Sequence, residues 1–134
     1  MAISKLLAFN LPEADHAAVV RAAILAKTKA AFVTAADYDQ TLAALLQAKT
    51  LPIGTYEGEI PAESLLVMCN LSGAQMTNVL MSLRKSGTRV TYKAILTPTN
   101  LSWTPPQMLE EMAKEKAQFD ALEKEKSAHS HAEE

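Results

Sequence analysis

Two stretches of the chain, sixty residues apart, carry the same pattern and constrain the fold more than any other feature. The apolar run at residues 6–9 is followed by Asn10, and the apolar run at residues 65–69 is followed by Asn70. A continuous apolar run of this length is typical of a strand buried on both faces of a sheet that helices cover. The sequence therefore predicts two central strands, each leading into a helix.

Strand and helix signals alternate along the rest of the chain. Ser72 and Gln75 form a Ser-x-x-Gln capping box, and Thr104 to Gln107 repeats that pattern around Pro105, so both sites predict helix starts. Gly87 predicts a helix end. The predicted strands are residues 5–10, 30–33, 65–70 and 90–97, and the predicted helices are residues 12–26, 34–48, 72–85 and 105–126.

The same order of elements occurs twice. At an offset of 60 residues, and of 63 after an insertion around residues 86–88, the strands and helices of residues 4–48 align with those of residues 64–116. We interpret this as an internal repeat of two βαβα halves. The other interpretation is that any two strand-helix units resemble each other to this degree.

Alternating strands and helices favour an α/β fold with a four-stranded, mainly parallel sheet. If a two-fold axis along the strands relates the halves, the strand order is 2-1-3-4, with helices on both faces. A topological switch point then lies between the first and third strands, where open α/β sheets tend to bind ligands. A ferredoxin-like α+β sheet is the alternative, in which the helix at residues 35–48 is an insertion.

Composition bounds the architecture and the function. A chain of 134 residues with 49% hydrophobic residues fits one domain, here residues 1–126, followed by a small polar tail at residues 127–134 that we expect to be disordered. Residues 49–62 hold two prolines and two glycines and predict a long connector, with room for a short strand at residues 55–57.

Charge and cysteine content predict a cytoplasmic protein. The formal charge of −2 gives no general attraction to nucleic acid or to an anionic membrane, and no long apolar segment predicts a membrane span. The single cysteine, Cys69, lies inside an apolar run, which fits a reducing compartment and a buried, inert thiol.

Candidate ligand-binding residues cluster at strand ends. Asn10 and Asn70 each follow a central strand and precede a helix start, where a ligand with negative charge is favoured. Asparagine at a strand end is more often a turn former. The other candidates lie at or after the fourth strand: Lys93, Thr97, Thr99, Asn100 and Trp103.

Each of these later candidates also has a structural interpretation. A lysine on an apolar strand needs a carboxylate or a ligand, but at a sheet edge its ammonium group often reaches solvent. The threonines and Asn100 suit a polar elbow that fixes the chain before the last helix. Trp103, the only tryptophan, suits a packing anchor for that helix, and if exposed it would indicate a partner surface.

The run YKAILTPTN at residues 92–100, followed by Trp103, resembles the Lys-Ala-x-x-Thr-x-x-Asn-x-x-Trp pattern of the family called domain of unknown function 3783. The resemblance covers residues 63–116, less than half of the chain. It implies a small soluble bacterial or archaeal domain, and it implies no activity, cofactor or substrate.

No catalytic, cofactor or metal site is predicted. His16 is near a helix start and His129 and His131 are in the tail, so no nucleophile, base and orienting acid can be assigned. The sequence favours a binding or protein-interaction module over an enzyme, with a homodimer or partner contact through the C-terminal helix. The alternative is an enzyme or sensor that binds a small anionic ligand at the carboxyl ends of the strands.

Overall fold

A computed structural model describes residues 3–34, 37–38, 40–47, 58 and 63–132, with side chains described as far as residue 118. The strands are β1 (Lys5–Phe9), β2 (Ala30–Val33), β3 (Leu65–Cys69) and β4 (Tyr92–Ile95). The helices are α1 (His16–Leu25), α2 (Leu42–Gln47), α3 (Gly73–Ser86) and α4 (Pro105–Ala132). The α/β class is confirmed. The predicted connector, with its short strand at residues 55–57, lies outside the described residues.

The four strands form one sheet in the order β2-β1-β3-β4, as predicted. β1 pairs with β2 in parallel and β3 pairs with β4 in parallel, but β1 and β3 are antiparallel, with Leu7 opposite Val67. The prediction of a mainly parallel sheet was therefore wrong, and the sheet is mixed. An apolar run buries the same side chains whichever way the strand runs, so the pattern that predicts a central strand does not specify its direction.

Helices cover both faces of the sheet, also as predicted. α1 and α3 pack on the face that carries Leu6 and Leu66, whereas α2 and α4 pack on the face that carries Leu7 and Val67. The ferredoxin-like alternative is not adopted, because α2 is part of the core and not an insertion: Leu42, Leu45 and Leu46 are buried.

The antiparallel central pair changes the symmetry that the sequence predicted. A two-fold axis along the strands would place α1 and α3 on opposite faces. Their common face instead fits a two-fold axis perpendicular to the sheet, which keeps both helices on one side. The switch point expected between β1 and β3 is absent, because their carboxyl ends lie at opposite ends of the sheet.

Local signals explain most of the element bounds. The Ser72 hydroxyl accepts from the Gln75 amide and the Gln75 side chain accepts from the Ser72 amide, so the predicted capping box starts α3. Gly87 ends this helix with φ 72°, a left-handed conformation that glycine adopts without a Cβ penalty. α4 starts at Pro105 as predicted and continues through residues 127–132, which the sequence assigned to the tail.

The helical spacing of Ala17, Val20, Ala23 and Ile24 predicts that they form the buried face of α1, and this prediction was wrong except at Ala23. Val19, Ala22 and Ala23 face the core, whereas Val20 and Ile24 are exposed. α1 is apolar nearly all round, so its periodicity does not select one face. The buried alanines allow close packing on the sheet. None of the helices in the described part of the chain is long and apolar enough to cross a membrane.

Candidate functional site

β4 forms one edge of the sheet and presents unpaired backbone groups. The amide of Tyr92 donates to the Ser64 carbonyl at 3.0 Å, and the amide of Leu96 donates to the Met68 carbonyl at 3.0 Å. Alternate residues of a strand direct their backbone groups to opposite sides, so the amides of Lys93 and Ile95 point away from β3. No described strand pairs with β4 on that outer side.

An open groove of about 1150 Å³ runs along this edge, bounded by α3 on one side and α4 on the other. Lys93 and Ile95 project towards the α3 side, because Ala94 between them packs into the core cluster under α4. The floor on the α3 side is apolar and is formed by Met68, Leu83 and Val90. Ile95 is 51% exposed, so the groove offers an uncovered apolar side chain in its centre.

The α3 side of the groove is basic. Arg84, Arg89 and Lys93 line it, and none of them forms an ion pair with a described residue. Among the described residues, those that line this side include no acidic side chain. The groove therefore carries local positive charge although the chain as a whole has a formal charge of −2.

The α4 side has mixed charge. Glu111 and Glu115 line it, but Glu111 accepts a hydrogen bond from the Lys114 ammonium at 3.4 Å. That hydrogen bond, together with the negative charges of Glu111 and Glu110, raises the pKa of Lys114. The Lys116 ammonium lies 6.0 Å from the centre of the Tyr92 ring. The two sides of the groove thus differ in charge, and the α3 side is the more selective for an anion.

The elbow after β4 is fixed by Asn100, whose side chain is buried. Asn100 Oδ1 accepts from the Thr97 amide at 2.8 Å, and Asn100 Nδ2 donates to the Ile95 carbonyl at 3.1 Å. The Thr97 hydroxyl accepts from the Asn100 amide at 3.2 Å. Asn100 therefore occupies the outward carbonyl of Ile95, the last residue of β4, and limits an added strand to the backbone groups before that carbonyl. This geometry fits the structural interpretation of Asn100.

The remaining elbow candidates line the same groove. Thr97 and Thr99 are exposed, whereas Trp103 is half-buried and packs against the core cluster under α4. The Trp103 carbonyl accepts from the Leu42 amide at 2.8 Å and so holds the start of α2. The structure thus brings together Lys93, Thr97, Thr99, Asn100 and Trp103.

Asn10 and Asn70 are not brought together. Both adopt left-handed backbone conformations, with φ of 58° and 57°. Asn10 Nδ2 donates to the Glu63 carbonyl at 3.1 Å, and Asn70 Nδ2 donates to the Ile3 carbonyl at 2.7 Å. Each asparagine thus braces one end of the β1-β3 pair, and the two do not converge on a ligand because these strands are antiparallel.

Two titratable side chains outside the groove, Cys69 and His16, have structural surroundings. Burial raises the pKa of the Cys69 thiol to about 12, so the thiolate is not populated near neutral pH. The His16 ring stacks on Phe32 with 4.0 Å between ring centroids. Among the described residues, no group of three or more histidine, cysteine, aspartate or glutamate side chains is placed to hold a metal.

A comparison with known protein families matches the segment of the chain that contains the groove. Residues 64–119 match a family described as domain of unknown function (DUF3783). This confirms the resemblance seen in the sequence and covers less than half of the chain. The matched segment contains β3, α3, β4, the start of α4 and every residue that lines the groove. No curated protein and no solved structure matches the chain significantly.

Sequence reasoning missed the residues that give the groove its character. The sequence does not single out Arg84 or Arg89, and it places Ile95 only within the predicted strand at residues 90–97. The strand order is the signal that could have identified them. In the order 2-1-3-4 the fourth strand lies at an edge of the sheet, and side chains of that strand that extend past α3 stay exposed.

Proposed function

We propose that this protein is an interaction module that binds an extended polypeptide segment along the outer edge of β4. The observation that carries the proposal is the pair of outward backbone amides of Lys93 and Ile95, set inside a groove between two helices. An edge strand is a template for an added strand, whose backbone hydrogen bonds give affinity while side-chain pockets give specificity.

The groove fits an extended chain better than a compact small molecule. Its backbone amides at Lys93 and Ile95 are spaced two residues apart along β4, and the side chains that line it lie on both faces of that strand. The small-anion alternative drew on Asn10 and Asn70 together, which lie at opposite ends of the β1-β3 pair. Only the part of that alternative that rests on Lys93 keeps its support.

A second copy of this chain is a poorer occupant of the edge. In an antiparallel pairing centred on Lys93 or Ala94, the Lys93 side chains of both copies would lie opposite or diagonal to each other on one face. A lysine on an edge strand is a common device against such self-pairing. The homodimer through α4 that the sequence predicts is a separate hypothesis and uses another surface.

The test is selection of a phage-displayed library of random dodecapeptides on the full chain, followed by affinity measurement on the variants Ile95→Pro and Ile95→Val. Proline removes the outward amide at residue 95 but leaves the β3-β4 hydrogen bonds and the Ile95 carbonyl in place. Valine keeps both the amide and a β-branched side chain, so it is the matched control.

We expect selected peptides to bind the wild type and Ile95→Val similarly, and to bind Ile95→Pro about tenfold or more weakly, since backbone hydrogen bonds to the edge are lost. Circular dichroism and thermal unfolding check that both variants are folded. The proposal is wrong if no peptide is enriched, or if enriched peptides bind folded Ile95→Pro as well as they bind Ile95→Val.

A further inference from the structure

We infer that the segment bound along β4 is acidic, with acidic side chains flanking one apolar side chain on the face that meets α3. This inference rests on the proposed function and names the class of partner. Every second side chain of an added strand lies on one face of the sheet. On the α3 face those side chains meet the exposed Ile95 and the three cations Arg84, Arg89 and Lys93.

The apolar and cationic groups are arranged for such an alternating segment. Ile95 and Leu80, which are 51% and 38% exposed, form an open apolar hollow beside the strand. The cations have no acidic partner among the described residues, so a carboxylate from a partner would gain charge-assisted hydrogen bonds without displacing an existing ion pair. Arginine is suited to bind a carboxylate through two parallel hydrogen bonds.

The α4 side of the groove limits the acidic side chains of the partner to the face that meets α3. There the added side chains meet Ala94 and Met112 together with Glu111, Glu115 and Lys116. A uniformly anionic ligand would place negative charge beside these carboxylates. The groove therefore favours a strand with acidic residues on one face and neutral residues on the other.

This division of charge also argues against nucleic acid as the ligand. Single-stranded nucleic acid binds to grooves that follow its phosphates with continuous positive charge and stack its bases on aromatic rings. Trp103, the one aromatic side chain among the described residues that line the groove, is half-buried and packs against the core cluster under α4.

The probe is the blocked peptide TETVTET, in which glutamate, valine and glutamate share one face and threonines occupy the other. Its counterpart, TKTVTKT, has the same pattern with opposite charge. Titration of the 15N-labelled full chain, followed by NMR shifts of the Lys93 and Ile95 amides, measures binding of each peptide. A single-stranded RNA dodecamer is titrated in parallel.

We expect the glutamate peptide to bind about tenfold or more tightly than the lysine peptide, since each carboxylate gains a charge-assisted hydrogen bond. Lys93→Glu should reduce this preference, because only Arg84 and Arg89 then remain as cations on the α3 side. Lys85→Glu, which changes an exposed α3 lysine outside the groove, should leave it unchanged. Ile95→Pro should abolish binding of the glutamate peptide.

Three results would overturn the inference. Equal binding of both peptides, each lost in Ile95→Pro, would leave β4 as a strand-binding edge and reject the acidic class. Absence of binding by the glutamate peptide, when the library yields peptides sensitive to Ile95→Pro, would do the same. RNA binding that is lost in Lys93→Glu, without peptide binding, would identify a nucleic-acid ligand instead.

Discussion

The two edge strands, β2 and β4, differ at positions that correspond in the two βαβα halves. Phe32 in β2 pairs with Ala8, and Ile95 in β4 pairs with Met68, sixty residues after Ala8. Phe32 packs against the core on the α1 side and is covered by the ring of His16, whereas Ile95 is 51% exposed. The same architecture is therefore closed at one edge position and open at the other.

A second pair of equivalent residues follows the same division. Ala30 pairs with Leu6 in β1, and Lys93 pairs with Leu66 in β3, sixty residues later. The first half has a small apolar residue where the second has an exposed cation. The edge that is open also carries charge, so the binding edge proposed above lies in the second half.

If the halves share one core, equivalent buried residues should contribute equally to stability. Leu6 and Leu66 are both fully buried on the face that α1 and α3 cover. We expect Leu6→Ala and Leu66→Ala each to lower the free energy of unfolding by about 2 to 5 kcal/mol through lost burial and a residual cavity. Chemical denaturation of both variants measures the loss.

The difference between these two values is the informative quantity. Values within about 1 kcal/mol of each other would fit two halves that unfold as one cooperative unit. A much smaller loss for Leu66→Ala would mean that the second half is loosely held and that the comparison of equivalent core positions fails.

The sequence predicted the parts of the fold that are encoded locally. The capping box at Ser72, the left-handed Gly87 and the helix start at Pro105 depend on neighbouring residues, and each was placed correctly. The strand order also followed from the repeated pattern. The direction of β3 relative to β1 did not follow, because a doubly buried strand has the same apolar pattern in either direction.

Only some of the residues that line the groove could be predicted from the sequence, because the others are placed there by tertiary structure. Lys93 and Trp103 stood out by residue type within a polar elbow, and both line the groove. Arg84 and Ile95 acquire their roles only from the position of α3 relative to the edge strand, which is a tertiary property. Asn10 and Asn70 are not brought together, because their expected proximity depended on parallel central strands.

Truncation of Phe32, which the His16 ring covers, and truncation of Ile95, which is uncovered, should have different effects on stability. We expect Phe32→Ala to lower the free energy of unfolding by about 1 to 3 kcal/mol, because a partly buried ring and its stacking contact with His16 are lost. Ile95→Ala should cost about 1 kcal/mol or less, because half of that side chain already contacts solvent.

Thermal or urea unfolding of these two variants, with wild type measured alongside, gives the comparison directly. His16→Ala serves as a control that removes the stacked ring while keeping Phe32. A loss in Ile95→Ala as large as that in Phe32→Ala would show that the β4 edge is a covered core position and would remove the basis for an open groove.

The last comparison concerns Asn10 and Asn70, where the two halves are most alike. Each side chain donates to the carbonyl that precedes the opposite central strand, and each backbone is left-handed. Asn70→Ala should lower the free energy of unfolding by about 1 to 2 kcal/mol, the sum of a lost hydrogen bond and a left-handed alanine. Asn70→Gly should cost less, because glycine adopts this conformation without strain. We expect the same order at Asn10.

Equal costs for alanine and glycine would mean that the hydrogen bond alone matters, and a strong effect at only one asparagine would break the equivalence of the two ends of the β1-β3 pair.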